Sequence, residues 1–144
     1  MDPRDFQQIA ERLVGGTCAA EFRTAISRAY YATYNVSVEI LEGMNFRIPG
    51  GSNGHGNVQR RLSNCGEKEI IKVGSQIGDL HSKRIQADYY LDNSKTENKK
   101  TAEAIVRNAR KLIQILDNKC WSSNRQKIID AIKEYDRKTS GGRV

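Results

Sequence analysis

Arg28, Tyr31 and Asn35 fall on one line of a long apolar helix, and the chemistry this chain could perform concentrates there. At ~100° per residue the three lie within about 60° of one another, roughly opposite a stripe of Phe22, Ile26, Ala29, Thr33, Val36 and Ile40. Arg28 and Asn35 are seven residues apart, so they stack two turns up the same face with ~10 Å of rise between them. A guanidinium is permanently charged and pairs bidentately with carboxylate or phosphate oxygens. The amide of Asn35 does not titrate near neutral pH and can only orient a neighbour by hydrogen bonding. Tyr30, Tyr34 and Leu41 form a second apolar patch about a quarter turn away and read as packing, whereas Tyr31 shares the Arg28 line. A helix that is apolar on most sides and carries one polar line usually has a second partner surface.

Three other groups bear chemistry. Arg84 and Asp88 are spaced i, i+4 and can pair on one helix, with Tyr89 following them. The two histidines are His55 and His81, and His81, beside Lys83 and Arg84 in a helical pattern, reads as exposed. The remaining searches exclude function classes. There is no P-loop, no Gly-x-Gly-x-x-Gly, no His-Glu-x-x-His and no Cys-x-x-Cys. Glu21, Glu39 and Glu42 are the carboxylates of the long helix and do not form the paired motifs of a di-iron bundle. Neither a metal site nor a cofactor is expected.

The segment Ser27 to Asn35, SRAYYATYN, resembles the signature helix of the HEPN superfamily (higher eukaryote and prokaryote nucleotide-binding domains), in the branch that reads Ser-Arg-Ala-Tyr-Tyr-Ala-x-Phe/Tyr-His. Two more segments match in order. Gly54-His55-Gly56-Asn57-Val58 looks like the His-Gly-x-Val that opens that branch's third helix, and Arg84-Ile85-Gln86-Ala87-Asp88-Tyr89 looks like its Arg-x-x-Ala-Asp-Tyr. Together the matches cover roughly residues 5 to 118. One position departs: the superfamily's Arg-x4–6-His motif puts histidine at position 35, where this chain has Asn35.

The resemblance implies an all-α, HEPN-like bundle of four main helices plus short ones that forms a homodimer. It implies RNA or a nucleotide as ligand, a metal-independent ribonuclease reaction of a toxin–antitoxin or defence system, and a nucleotidyltransferase as a partner protein. In active members an arginine and a histidine from two subunits meet across the dimer interface. Attack by a 2′-OH on the adjacent phosphate needs a base near the hydroxyl and a cation for the charge that develops on phosphorus. Arg28 suits the cation; the alternative is an ion pair, for instance with Asp88. Asn35 cannot be the base, which puts cleavage in doubt, and His55 is the better candidate to supply an imidazole; the alternative is that His55 caps its helix or anchors its loop. Arg28, Asn35 and His55 are thus the implied catalytic set, with Tyr31 and Arg84 on the substrate. Asp88 and Tyr89 would brace the Arg28 face. The competing function is a non-catalytic helical module that dimerises or docks through the same tyrosine-rich face.

The elements that must position these groups are helical. Asp2 and Pro3 open a first helix that runs to about Val14 with Phe6, Ile9, Ala10 and Leu13 inward, and Gly15-Gly16 ends it. The long helix spans about Cys18 to Met44 with Thr17 as its cap, and Phe46 to Asn53 is a loop. A third helix runs from about Gly54 to Leu62 and a fourth from about Lys68 to Tyr90, where Gly74 and Gly78 would either admit a close neighbour or merely be tolerated. Thr96 caps a fifth helix that ends at Asp117-Asn118, and Ser122 or Ser123 caps a sixth from about Asn124 to Arg137. Residues 1–138 form a single domain on this reading, and 139–144 a flexible tail.

Charge is unevenly spread over the 144 residues. Residues 1–97 hold twelve Lys/Arg and twelve Asp/Glu, whereas residues 98–144 hold twelve against five, which accounts for the whole net charge of +7. A basic terminal third suits a polyanion, and places Lys99, Lys100, Arg107, Arg110 and Lys111 as substrate-binding candidates on the fifth helix; a solvated face is the plain alternative. Cys18, Cys65 and Cys120 are odd in number and widely spaced, which fits a reducing compartment rather than a disulfide framework. With no apolar leader and no run of ~18 apolar residues, the expectation is a cytoplasmic protein with no membrane partner.

Overall fold

A computed structural model describes residues 1–140, and these are all-α, with no strand among them. Six α-helices follow in order: α1 (Asp5–Leu13), α2 (Ala19–Gly43), α3 (Ser52–Ser63), α4 (Lys68–Tyr89), α5 (Lys99–Cys120) and α6 (Arg125–Ser140), with a 3-10 turn at Ser94–Glu97. None is long and apolar enough to cross a membrane. Helix α6 carries the chain through Ser140, past the expected end at Arg137; the rest of the expected tail, 141–144, lies outside the described residues.

The helices pack as two compact bundles. The first holds Met1–Val36 and Ile77–Ile113, and the second holds Ser37–Gln76 and the chain from Gln114 onward, so α2, α4 and α5 each contribute a segment to both. Phe22, Ile26, Ala29, Thr33, Val36 and Ile40, the stripe set by helical periodicity, are all buried.

In the first bundle, α2 and α4 run antiparallel. Ser27 meets Asp88 and Tyr31 meets Arg84, so four residues forward on α2 are four residues back on α4. Helix α1 lies against α5 through Gln7, whose buried amide donates to the Val106 carbonyl at 2.9 Å, and through Glu11, which pairs with Arg110 at 2.5 Å. The start of α2 is fixed by Glu21 rather than by Thr17. Its carboxylate accepts the Thr17 and Cys18 N–H groups at 3.1 and 3.2 Å, the reciprocal half of a capping box. The start of α5 also differs from expectation. Asn98 takes the Thr101 N–H at 3.1 Å, while Thr96 is buried in the preceding 3-10 turn and donates to the Asn93 carbonyl. The helix then runs through Asp117-Asn118 to Cys120, because Leu116 and Cys120 continue its buried face.

In the second bundle, α2 ends in a Schellman motif. The Phe46 N–H reaches the Leu41 carbonyl, the Asn45 N–H reaches Glu42, and Asn45 takes the left-handed φ of 69° that asparagine tolerates. Helix α3 starts at Ser52, two residues before the expected Gly54, after Gly51 turns the chain at φ 69°. Gly74 does admit a close neighbour: a Cβ there would stand 2.9 Å from the Ser63 nitrogen and 3.3 Å from the Gln59 carbonyl, both of α3. Arg61 ties α3 to α6, pairing with Asp136 at 3.2 Å and donating to the Arg47 carbonyl at 2.7 Å.

Candidate functional site

The first bundle gathers Arg28, Tyr31, Arg84, Asp88 and Tyr89 into one cluster. Tyr31 is its centre. The Arg28 guanidinium carbon lies 4.7 Å from the Tyr31 ring centroid and that of Arg84 lies 4.8 Å from it, so two cations share one aromatic ring. Arg84 is fully engaged on one edge. Its Nε donates to Asp88 Oδ2 at 2.8 Å and its Nη2 to the Tyr31 hydroxyl at 2.5 Å. The Arg84 side chain is only 13% exposed and that of Asp88 26%, so this pair is screened less than a solvated i, i+4 pair and also carries a desolvation cost that a solvated pair does not. Burial lowers the Arg84 pKa, but Tyr31 and Asp88 more than offset it and the net direction is upward, so the cation persists at any working pH.

Arg28 is held differently. It sits over the Phe6 ring at 5.2 Å as well as over Tyr31, and its one hydrogen-bond contact is with the Ser27 hydroxyl at 3.5 Å. Among the described residues it has no carboxylate partner. The alternative ion pair with Asp88 is not made within the chain; Asp88 Oδ2 instead receives Arg84 and the buried Ser27 hydroxyl at 3.0 Å. The result is a half-buried guanidinium clamped by two rings with most of its N–H groups unspent.

Asn35 turns inward on its own helix. Its Nδ2 donates to the Tyr31 carbonyl at 2.8 Å, one turn back. His55 lies in the first turn of α3, half-buried, in the second bundle. Lys99, Lys100, Arg107, Arg110 and Lys111 are all exposed on α5; Arg110 pairs with Glu11, and the other four form no ion pair among the described residues. Tyr89 is 66% exposed at the end of α4 with Arg84 5.6 Å from its ring, and the next two residues, Tyr90 and Leu91, are exposed as well. No group of three His, Cys, Asp or Glu side chains among the described residues could hold a metal ion.

Two contributors were not singled out from sequence, and a third was read as exposed. Arg23 is the most buried arginine of the cluster's surroundings. It donates to the carbonyls of Gln86, Ala87, Tyr90, Leu91 and Asn93 and pairs with Glu97 at 3.0 Å, which closes the C-terminal end of α4. Ser27 fixes Asp88. Both are on the Tyr30 side of α2, three and seven residues before it, and a polar side chain on an apolar face must be bonded to something. The third is His81. It is half-buried rather than exposed, with its ring 5.0 Å from that of Tyr30. Burial, and then the charge of Arg84, lower its pKa below the ordinary imidazole value. No protein-family model, no curated protein and no solved structure matches this chain.

Proposed function

We propose that this chain is a HEPN-type RNA-binding protein whose ligand phosphate sits at the Arg28–Tyr31–Arg84 cluster, in the setting of a toxin or defence system. One observation carries the reading: the half-buried Arg28 guanidinium, positioned by Phe6 and Tyr31, has no acid partner among the described residues. A positioned, uncompensated guanidinium beside a second one is a site for a phosphodiester, which accepts paired N–H groups and adds the missing negative charge. Tyr89, 66% exposed with its ring 5.6 Å from the Arg84 guanidinium carbon, borders the cluster, and exposed aromatic rings stack unpaired bases, so the ligand is a single strand rather than a duplex. The unpaired lysines of α5 add attraction for any polyanion. An isologous contact across the Arg28 line of α2 would place two such clusters in one cleft, and the homodimer belongs to this proposal. Cleavage, where it occurs, depends on an imidazole that Asn35 does not provide.

Titrating a fluorescent single-stranded RNA and its duplex form tests the reading. Arg28→Ala should weaken single-strand binding at least tenfold, and Tyr89→Ala by a similar factor, with the duplex bound less tightly throughout. Affinity that ignores both substitutions would remove the site. A sedimentation mass of one chain at micromolar concentration would remove the dimer. The second reading, a non-catalytic module docking on a partner such as a nucleotidyltransferase, is favoured by two features: the Asn35 amide is spent on the Tyr31 carbonyl, and Tyr89, Tyr90 and Leu91 form an exposed apolar run. It predicts no RNA affinity and a partner contact abolished by Tyr89→Ala.

A further inference from the structure

We propose that the groove between α3 and α6 binds a small sugar phosphate, with Arg60 on the phosphate and the α6 hydroxyls on the sugar. All of its residues lie in the second bundle, so it stands apart from the RNA reading above. The groove offers about 780 Å³, and every side chain on its walls carries a polar or charged group. Arg61 is spent on the fold: it pairs with Asp136 at 3.2 Å, donates to the Arg47 carbonyl at 2.7 Å and lies over the Phe46 ring at 5.2 Å. Arg60 is not. It is exposed and forms no ion pair among the described residues. The missing side chain of Gly56, one turn back, leaves the space its guanidinium occupies; a Cβ there would stand 2.9 Å from Arg60 Nη1. With the Arg61 and Asp136 charges cancelling, the walls carry one uncompensated positive charge.

Asn57 stands one turn before both arginines. Its side chain makes no hydrogen bond among the described residues, and its Oδ1 is buried without a partner. Native folds rarely leave such a group unsatisfied, and an amide turned toward the groove offers a ligand oxygen an N–H or a ligand hydroxyl a C=O. The α6 wall is the complement. The Thr139 hydroxyl donates to the Tyr135 and Asp136 carbonyls at 3.1 Å, and the Ser140 hydroxyl donates to the Asp136 carbonyl. Their protons are spent, so they offer a ligand lone pairs, which accept from O–H groups. A guanidinium on one wall and acceptors on the other fit a molecule that is anionic at one end and rich in hydroxyls at the other. A phosphomonoester supplies the charge and the oxygens that a guanidinium pairs with bidentately. Tyr135 is the one aromatic ring on the walls, which leaves no sandwich for a base and favours a sugar phosphate over a nucleotide.

Calorimetric titration of the full chain tests this, with ribose 5-phosphate, glucose 6-phosphate, inorganic phosphate, ribose and adenosine 5′-monophosphate as probes. One of the two sugar phosphates should bind about tenfold tighter than inorganic phosphate or better, ribose should give no heat, and the nucleotide should bind no tighter than ribose 5-phosphate. Arg60→Gln should weaken the sugar phosphate about tenfold and leave the urea midpoint at the wild-type value, since the arginine is exposed and unpaired. Thr139→Val should weaken the sugar phosphate but not inorganic phosphate, a split that a merely structural role would not give. Arg28→Ala, in the first bundle, should change neither. Sugar phosphates bound no tighter than inorganic phosphate overturn the inference, as does wild-type affinity in Arg60→Gln. A nucleotide bound about tenfold tighter than ribose 5-phosphate overturns the ligand class, and a loss on Arg28→Ala overturns the site. None of these outcomes bears on the RNA reading, which stands or falls on RNA affinity itself.

Discussion

Arg23→Met should cost this protein a large part of its stability, and the size can be worked out from contacts that no sequence pattern announced. The guanidinium reaches Ala87 and Asn93 carbonyls at 2.9 Å, Tyr90 and Leu91 at 3.2 Å, Gln86 at 3.3 Å and the Glu97 carboxylate at 3.0 Å, with its side chain 9% exposed. Methionine keeps the apolar stem and removes every donor. The Gln86, Tyr90 and Asn93 carbonyls keep bonds from the Tyr90 N–H, the Asn93 N–H and the Thr96 hydroxyl, and Glu97, one-third exposed, regains part of its hydration. The others lose a charged donor inside a largely closed site. Breaking one partner out of such a network costs about 3–5 kcal/mol. At ~2–4 °C per kcal/mol for a chain somewhat above this length, and more for a shorter one, Tm should fall by roughly 10–15 °C. Arg23→Lys should cost about half as much, since an ammonium keeps the charge but offers three donors in place of a five-donor fork.

Urea unfolding followed by far-UV circular dichroism measures both. The consequence extends to the site: the C-terminal end of α4 carries Arg84 and Asp88, so Arg23→Met should also weaken RNA binding without touching RNA. A Met variant that loses less than ~1 kcal/mol would refute the argument, because an arginine worth that little is behaving as a surface residue.

Four further outcomes are expected. Gly74→Ala should destabilise by ~1–3 kcal/mol, where an unobstructed helical glycine would gain ~1 kcal/mol, because the added methyl meets the α3 backbone at Ser63; urea midpoints decide the sign. Burial, with Cys65 alongside, pushes the Cys120 thiol up to about 12 from 9.0, so the protonated form is favoured on folding; its stabilisation is complete below pH 9 and is lost as pH rises toward 12, at ~1.4 kcal/mol per pH unit, and Cys120→Ala should show a correspondingly smaller drop between pH 8 and pH 10. Replacing Lys99, Lys100, Arg107 and Lys111 by Gln should flatten the log–log salt dependence of RNA binding by ~0.7 for each lost phosphate contact, with Arg110, already paired to Glu11, contributing least. Asn35→His should raise metal-independent cleavage by ~10²–10⁴, and Arg28→Ala should remove that gain.

What could be seen in the sequence was what a single helix fixes by itself. Period 3.6 placed the buried stripe of α2 from Phe22 to Ile40 residue by residue, and i, i+4 spacing placed Arg84 on Asp88. Helix ends were less legible, because the group that caps them is chosen by competition: Glu21 displaced Thr17, Asn98 displaced Thr96, and Asn45 ended α2 where Gly43 was the glycine at hand. What could not be seen was anything set by the register between two helices. Arg23 and Ser27 look like polar interruptions until α4 lies antiparallel beside them. Only that pairing turns Arg23 into the cap of a distant helix end and hands Asp88 to Ser27 and Arg84, leaving Arg28 without an acid among the described residues. The contacts also change what Asn35 means. Along α2 alone it looks like a polar group aimed at a ligand, two turns from Arg28. In the fold its amide is spent within its own helix, donating to the Tyr31 carbonyl at 2.8 Å, so it supports the residue at the centre of the cluster.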